Sequence, residues 1–147
     1  MHRDETLLGA ALVGVYDLTL RTTEAVAPVL EEHGLTFNNA YVLWVLQPSE
    51  PPPSMATLAR RTRCTPPNLT FLCDQLESRE FITRARSATD GRQRVVHLTP
   101  TGQAARAAVI ERIVASSPLR SVPEDDLIEL ARIVTAISDN PPRGTPQ

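Results

Sequence analysis

Apolar residues at the start of the chain recur at steps of three and four. Leu8, Leu12, Val15, Leu18, Val26 and Leu30, with Thr22 between them, share one face of a helix expected over residues 6–33. Gly34 follows as a C-terminal stop. Thr36 is a good N-cap for a second helix through Val42, Leu43, Val45 and Leu46, and Pro48 and Pro51-Pro52-Pro53 end it. Ser54 caps a short third helix through Leu58 and Ala59, and Thr62-Arg63-Cys64 reads as a turn. Thr65 caps the fourth helix, with Pro66 at its first position, and Leu69, Leu72, Cys73 and Leu76 form its inner face.

After Phe81 the period shortens. Residues 82–86 and 94–98 read as strands, and Asp90-Gly91 between them signals a turn, which predicts a β-hairpin. Thr99-Pro100 opens a fifth helix running to Pro118. A sixth starts near Pro123, with Glu124, Asp125 and Asp126 favourably placed in its first turn. The Pro- and Gly-containing segment 140–147 is expected to be disordered. The expected fold is mainly α with a small β-hairpin: a lobe over residues 35–99, flanked by helices at 6–34 and 100–138.

Composition sharpens this picture. The 147 residues are 41% apolar, enough for a packed core. There is no eighteen-residue apolar run and no basic-then-apolar leader, so a cytoplasmic protein away from membranes is the default expectation. The net charge of −2 conceals a pattern. Residues 1–54 hold two Arg against seven acids, residues 55–112 ten Arg against five, and residues 113–147 three Arg against five. Every cationic side chain is Arg, whose planar donor fork suits phosphate and groove contacts.

Two short helices, a tight turn and a basic hairpin form the winged helix-turn-helix order. A helix fits the major groove and reaches base edges with its first turns. Here those turns carry Thr65, Pro66, Pro67, Asn68, Thr70 and Phe71. Asn68 has the two hydrogen bonds that adenine needs, and Thr65 and Thr70 can reach phosphate or a base. Phe71 either meets a thymine methyl or packs inward. Free N–H groups at this helix end are expected to favour phosphate. The hairpin adds Arg84 and Arg86 on one strand face, Arg92 at the tip and Arg94, with Arg92 suited to a narrow minor groove. The expected partner is double-stranded DNA.

These segments resemble the MarR family of bacterial regulators. DGRQRVVHLTPTG (Asp90–Gly102) is similar to that family's Asp-x-Arg wing followed by Leu-Thr-x-x-Gly, and LARRTRCTPPNLTFLCDQLESREFI (Leu58–Ile82) is similar to its helix-turn-helix. The resemblance implies that Asp90 orients the wing, Arg92 enters the minor groove and residues 65–71 face the major groove, with Ser54 and Arg63 supporting the contact. It implies dimerisation through the first, fifth and sixth helices, and an effector pocket between that interface and the DNA-binding lobe. Three positions depart from the pattern. Glu80 stands in place of the usual glycine, Phe71 in place of a basic or polar residue, and Ser87 in place of a wing acid.

A homodimer also follows from Leu7, Leu8, Val13, Ile133 and Ile137, which need a partner surface. Tyr16, His33, Phe37 and Trp44 are candidates to line a pocket for a small aromatic or apolar effector. Cys64 and Cys73 are too few for a disulfide framework. They leave a thiol-based redox switch as an alternative, with Arg60, Arg61 and Arg63 near Cys64. A winged module serving protein partners is another alternative. No Ser-His-Asp set, glycine-rich phosphate loop or metal-ligand spacing is found, so neither an enzyme nor a cofactor or metal is expected.

Overall fold

The computed structural model describes residues 4–139, and the expected disordered tail lies outside them. The chain divides into two compact units, one ending at Ser117 and one starting at Pro118.

In the first unit, α1 spans Glu5–Glu32, α2 Phe37–Val45, α3 Met55–Thr62 and α4 Pro66–Ser78. Strands β1 (Ile82–Arg86) and β2 (Arg94–Leu98) follow, then α5 (Pro100–Ser116). Each expected cap is made. Thr36 forms a reciprocal capping box with Asn39, Ser54 accepts from the Thr57 N–H, and Thr65 accepts from the Asn68 N–H. Thr99 accepts from the Gly102 N–H at 2.9 Å.

Three helix ends share one solution. At the end of α1, Leu35 N–H donates to the Leu30 carbonyl and Gly34 N–H to the Glu31 carbonyl, with Gly34 in the left-handed region at φ +62°. This is a Schellman ending, and glycine suits it. The same bonds recur after α3, through Cys64 to Ala59, and after α4, through Phe81 to Leu76. There the left-handed residues are Arg63 (φ +53°) and Glu80 (φ +60°). The glycine expected between recognition helix and wing is therefore replaced in sequence while its conformation is kept.

The core is continuous across the lobe boundaries expected at 34/35 and 99/100. Val26, Val29 and Leu30 of α1 and Val109 of α5 join Leu43, Leu58, Leu69, Leu76, Ile82 and Val96 in one buried cluster. Arg106 of α5 adds a polar tie. Its guanidinium donates to the carbonyls of Leu43 and Trp44, each at 3.0 Å, and so caps α2, whose last turn has no basic residue of its own. Arg112 of α5 pairs with Glu32 of α1 at 2.9 Å.

The hairpin is antiparallel, in register from Ile82 opposite Leu98 to Arg86 opposite Arg94. Its second strand also takes a bond outside the hairpin: Val96 N–H donates to the Pro53 carbonyl at 2.9 Å. The start of α3 is thus fastened to the wing.

In the second unit, a 3-10 turn at Pro118–Ser121 precedes α6 (Glu124–Asp139). Glu124, Asp125 and Asp126 occupy the first turn of α6, where the helix dipole favours them. Among the described residues no helix is long and apolar enough to cross a membrane.

Candidate nucleic-acid interface

Helix α4 divides its residues cleanly. Leu69, Leu72, Cys73 and Leu76 are buried, whereas Pro67, Asn68, Thr70 and Phe71 are exposed. The ring of Phe71 is 60% exposed, so it does not pack inward. Beside this face lies a cleft of about 370 Å³ between the start of α3, α4 and the wing. Ser54, Thr70, Arg84, Arg92, Gln93 and Arg94 line it. An adjoining hollow brings in Arg63 and Pro66, and another brings in Arg86. Residues expected from three separate stretches of sequence therefore meet around one concave surface.

The free N–H groups expected at the start of α4 are absent. Pro66 and Pro67 have none. The Asn68 N–H is taken by the Thr65 hydroxyl and the Leu69 N–H by the Thr65 carbonyl. The Thr70 hydroxyl donates back to the Pro66 carbonyl at 3.0 Å. The start of α4 therefore offers an anion few backbone donors, and the positive charge at this surface comes from guanidinium groups.

The arginines of the hairpin play two parts. The Arg84 side chain is only 12% exposed and is clamped by two acids of α4. Its Nε donates to Glu77 at 2.7 Å and an Nη to Asp74. Desolvation works against the Arg84 charge, but the bonds to Asp74 and Glu77 outweigh it and raise its pKa. Arg84 was expected among the DNA contacts with Arg86 on the same strand face; it fixes the wing to α4, and its charge is already compensated. Arg86, Arg92 and Arg94 are exposed and take part in none of the ion pairs among the described residues. At the tip, the Asp90 carboxylate accepts the Arg92 N–H at 3.1 Å. Ser87, standing where a wing acid is usual, accepts the N–H groups of Thr89 and Asp90.

The expected effector residues do not all converge. Phe37 and Trp44 line a cavity of about 290 Å³ together with Thr22, Ala40, Tyr41 and Ile113, and none of these side chains is charged. Tyr16 is exposed on α1 and His33 bonds its ring Nδ1 to the Val29 carbonyl; neither lines the cavity. Tyr41 and Ile113 were missed because helical periodicity alone assigns such residues to a core. Both cysteines are free thiols. Cys73 is fully buried, and burial pushes its thiol up to about 11, which keeps it protonated near neutrality and removes its support as a sensor. Among the described residues no group of His, Cys, Asp and Glu is arranged to hold a metal.

Comparison with known proteins finds similar arrangements. A model of the MarR family matches residues 33–93. No curated protein matches the sequence. Among solved structures, AbsC, a MarR family transcriptional regulator from Streptomyces coelicolor, is similar at 23% identity and a TM-score of 0.76, covering 95% of each chain. The transcriptional repressor CouR, bound to a 23-mer DNA duplex, shares 25% identity at a TM-score of 0.75, over 91% of this chain and 94% of its own. CouR from Rhodococcus jostii RHA1 bound to p-coumaroyl-CoA shares 20% identity at a TM-score of 0.73, over 97% of this chain and 96% of that one. With six α-helices and an antiparallel wing among its described residues, the chain has the winged-helix fold of these MarR family structures, and over residues 33–93 it is similar in sequence to that family.

Proposed function

We propose that this protein is a homodimeric, ligand-responsive repressor that binds a pseudo-palindromic operator in double-stranded DNA. The observation that carries the reading is the cluster of uncompensated guanidinium groups, Arg86, Arg92 and Arg94, beside the exposed polar face of α4. A concave, cationic surface next to a protruding helix complements a duplex. In this reading Asn68 pairs with adenine and Arg92 enters the minor groove. The DNA-bound form of the similar repressor CouR supports this assignment.

Dimerisation is supported by the outer stretch of α1. Leu7, Leu8, Leu12, Val13 and Tyr16 are all exposed there, an apolar surface that the chain's own core leaves uncovered. On α6, Ile133 and Ile137 are exposed as well. A twofold pair would present two recognition helices to half-sites about one helical turn apart. The uncharged cavity at Phe37 and Trp44 fits a small aromatic or apolar effector. The ligand-bound form of CouR is consistent with an effector-responsive reading.

Fluorescence anisotropy on a duplex selected from random sequence tests the proposal. Six phosphate contacts from the wings of a dimer give a log–log salt slope of roughly −5. A slope near zero, or a monomer by light scattering at micromolar concentration, would overturn it in favour of a winged module serving protein partners.

A further inference from the structure

The thirteen residues of α4 include no Lys or Arg. The commonest specific contact in the major groove is a guanidinium or ammonium group on guanine, and α4 cannot make it. Its other amide, Gln75, is turned into the lobe, where it accepts from Asn39 at 3.1 Å. Asp74 is held by Arg84. Besides Thr70, whose hydroxyl donates back to the Pro66 carbonyl, what remains on the outward face is the amide of Asn68 and the ring of Phe71, three residues apart and so neighbours on the helix surface, with Pro67 one turn behind Phe71.

The apolar feature that base edges offer in the major groove is a methyl on pyrimidine C5. Thymine carries it, and so does 5-methylcytosine. Resting on the DNA-binding reading above, we infer that Phe71 is a specificity-determining residue that packs on a C5-methyl group, beside the base read by Asn68. The exposed ring then has a partner of matching chemistry, and the surrounding wing arginines supply the attraction to phosphate that α4 itself lacks. Recognition through this helix is biased to A·T pairs, or to a methylated cytosine in the same register.

The test uses the full chain on duplexes selected from random sequence. Each thymine is replaced in turn by deoxyuridine, which removes only the methyl. One position per half-site is expected to lose about four-fold in affinity, the value of one buried methyl-sized group. Where selection places cytosine at that position, 5-methylcytosine is expected to gain a similar factor, which distinguishes the two sources. Phe71→Ala should bind more weakly and lose the dependence; Asn68→Ala should keep it. Because the ring is exposed, Phe71→Ala is expected to fold, and circular dichroism checks this. Wild-type protein indifferent to every methyl, or Phe71→Ala still sensitive, overturns this inference alone. Failure to bind any duplex overturns the DNA-binding reading and this inference with it.

Discussion

Gly102, in the first turn of α5, lies so close to the backbone carbonyl of Phe81 that a Cβ at that position would overlap the oxygen. Phe81 is the residue that leads from α4 into the wing, and the N–H of Thr99 donates to the same carbonyl at 3.1 Å. The Thr-x-x-Gly segment after β2 thus has a physical basis: Thr99 caps the helix and Gly102 lets it approach backbone. Gly102→Ala should destabilise the protein by about 1–3 kcal/mol despite the better helix propensity of Ala. Urea unfolding gives the value, and an unchanged midpoint would show that the approach is not tight.

Glu80 offers the reverse case. It holds a left-handed conformation that costs a non-glycine residue about 1–2 kcal/mol. Glu80→Gly relieves that strain, partly offset by the greater freedom of glycine in the unfolded chain. The expected gain is about 0.5–1 kcal/mol, whereas Glu80→Ala should gain nothing. Thermal unfolding of both variants separates strain from loss of the charged side chain.

Arg84 and Arg92 should fail in different ways. Arg92→Ala removes a free cation from each protomer, so DNA affinity falls and the salt slope of the dimer shrinks by about two. Arg84→Gln removes a cation whose charge is already met by Asp74 and Glu77. It should lower stability and affinity while leaving the salt slope nearly unchanged, because no phosphate contact is lost. Equal changes in slope for the two variants would show that Arg84 contacts the duplex.

Thiol chemistry should also be selective. With its thiol raised to about 11 and fully buried, Cys73 should resist a disulfide reagent at pH 8 in the native protein. Cys64 is half-buried and is the residue expected to label. Mass spectrometry of the peptides reads the outcome; rapid native labelling of Cys73 would restore the redox alternative.

The link between α1 and α5 carries a pH dependence. The Arg112 hydrogen bond, with its charge, holds the Glu32 carboxyl below its ordinary value. A lowered folded-state pKa means that the contribution is complete above the ordinary glutamate range and is lost as pH falls through and below it. Glu32→Gln should therefore lower Tm slightly at pH 7 and not at all at pH 3. The effect is small because both side chains are about half exposed.

Much of this architecture is legible in the residues themselves. Caps at Thr36, Ser54, Thr65 and Thr99 and the turn at Asp90-Gly91 act locally, so the sequence places both strands and most helix starts where the structure has them. The candidate site is less legible, because its decisive relationships join distant segments. Strand alternation puts Arg84 beside Arg86, but only the fold brings Asp74 and Glu77 within reach of Arg84. Two prolines at the start of α4 read as a helix signal; that they also strip the helix of phosphate-binding donors emerges once the Thr65 bonds are seen. Tyr16 and His33 have the right chemistry for an effector pocket but do not line the cavity at Phe37 and Trp44.

Arg106 has a consequence for anyone exchanging reading heads between relatives. A graft cut at residues 34/35 and 99/100 would carry α2 away without the guanidinium that closes its final carbonyls. The transplanted segment would also leave Val26, Val29, Leu30 and Val109 behind, taking one wall of its own interior from it. A chimera of this protein works only with junctions that keep the second half of α1 and α5 at least through Val109 with the wing.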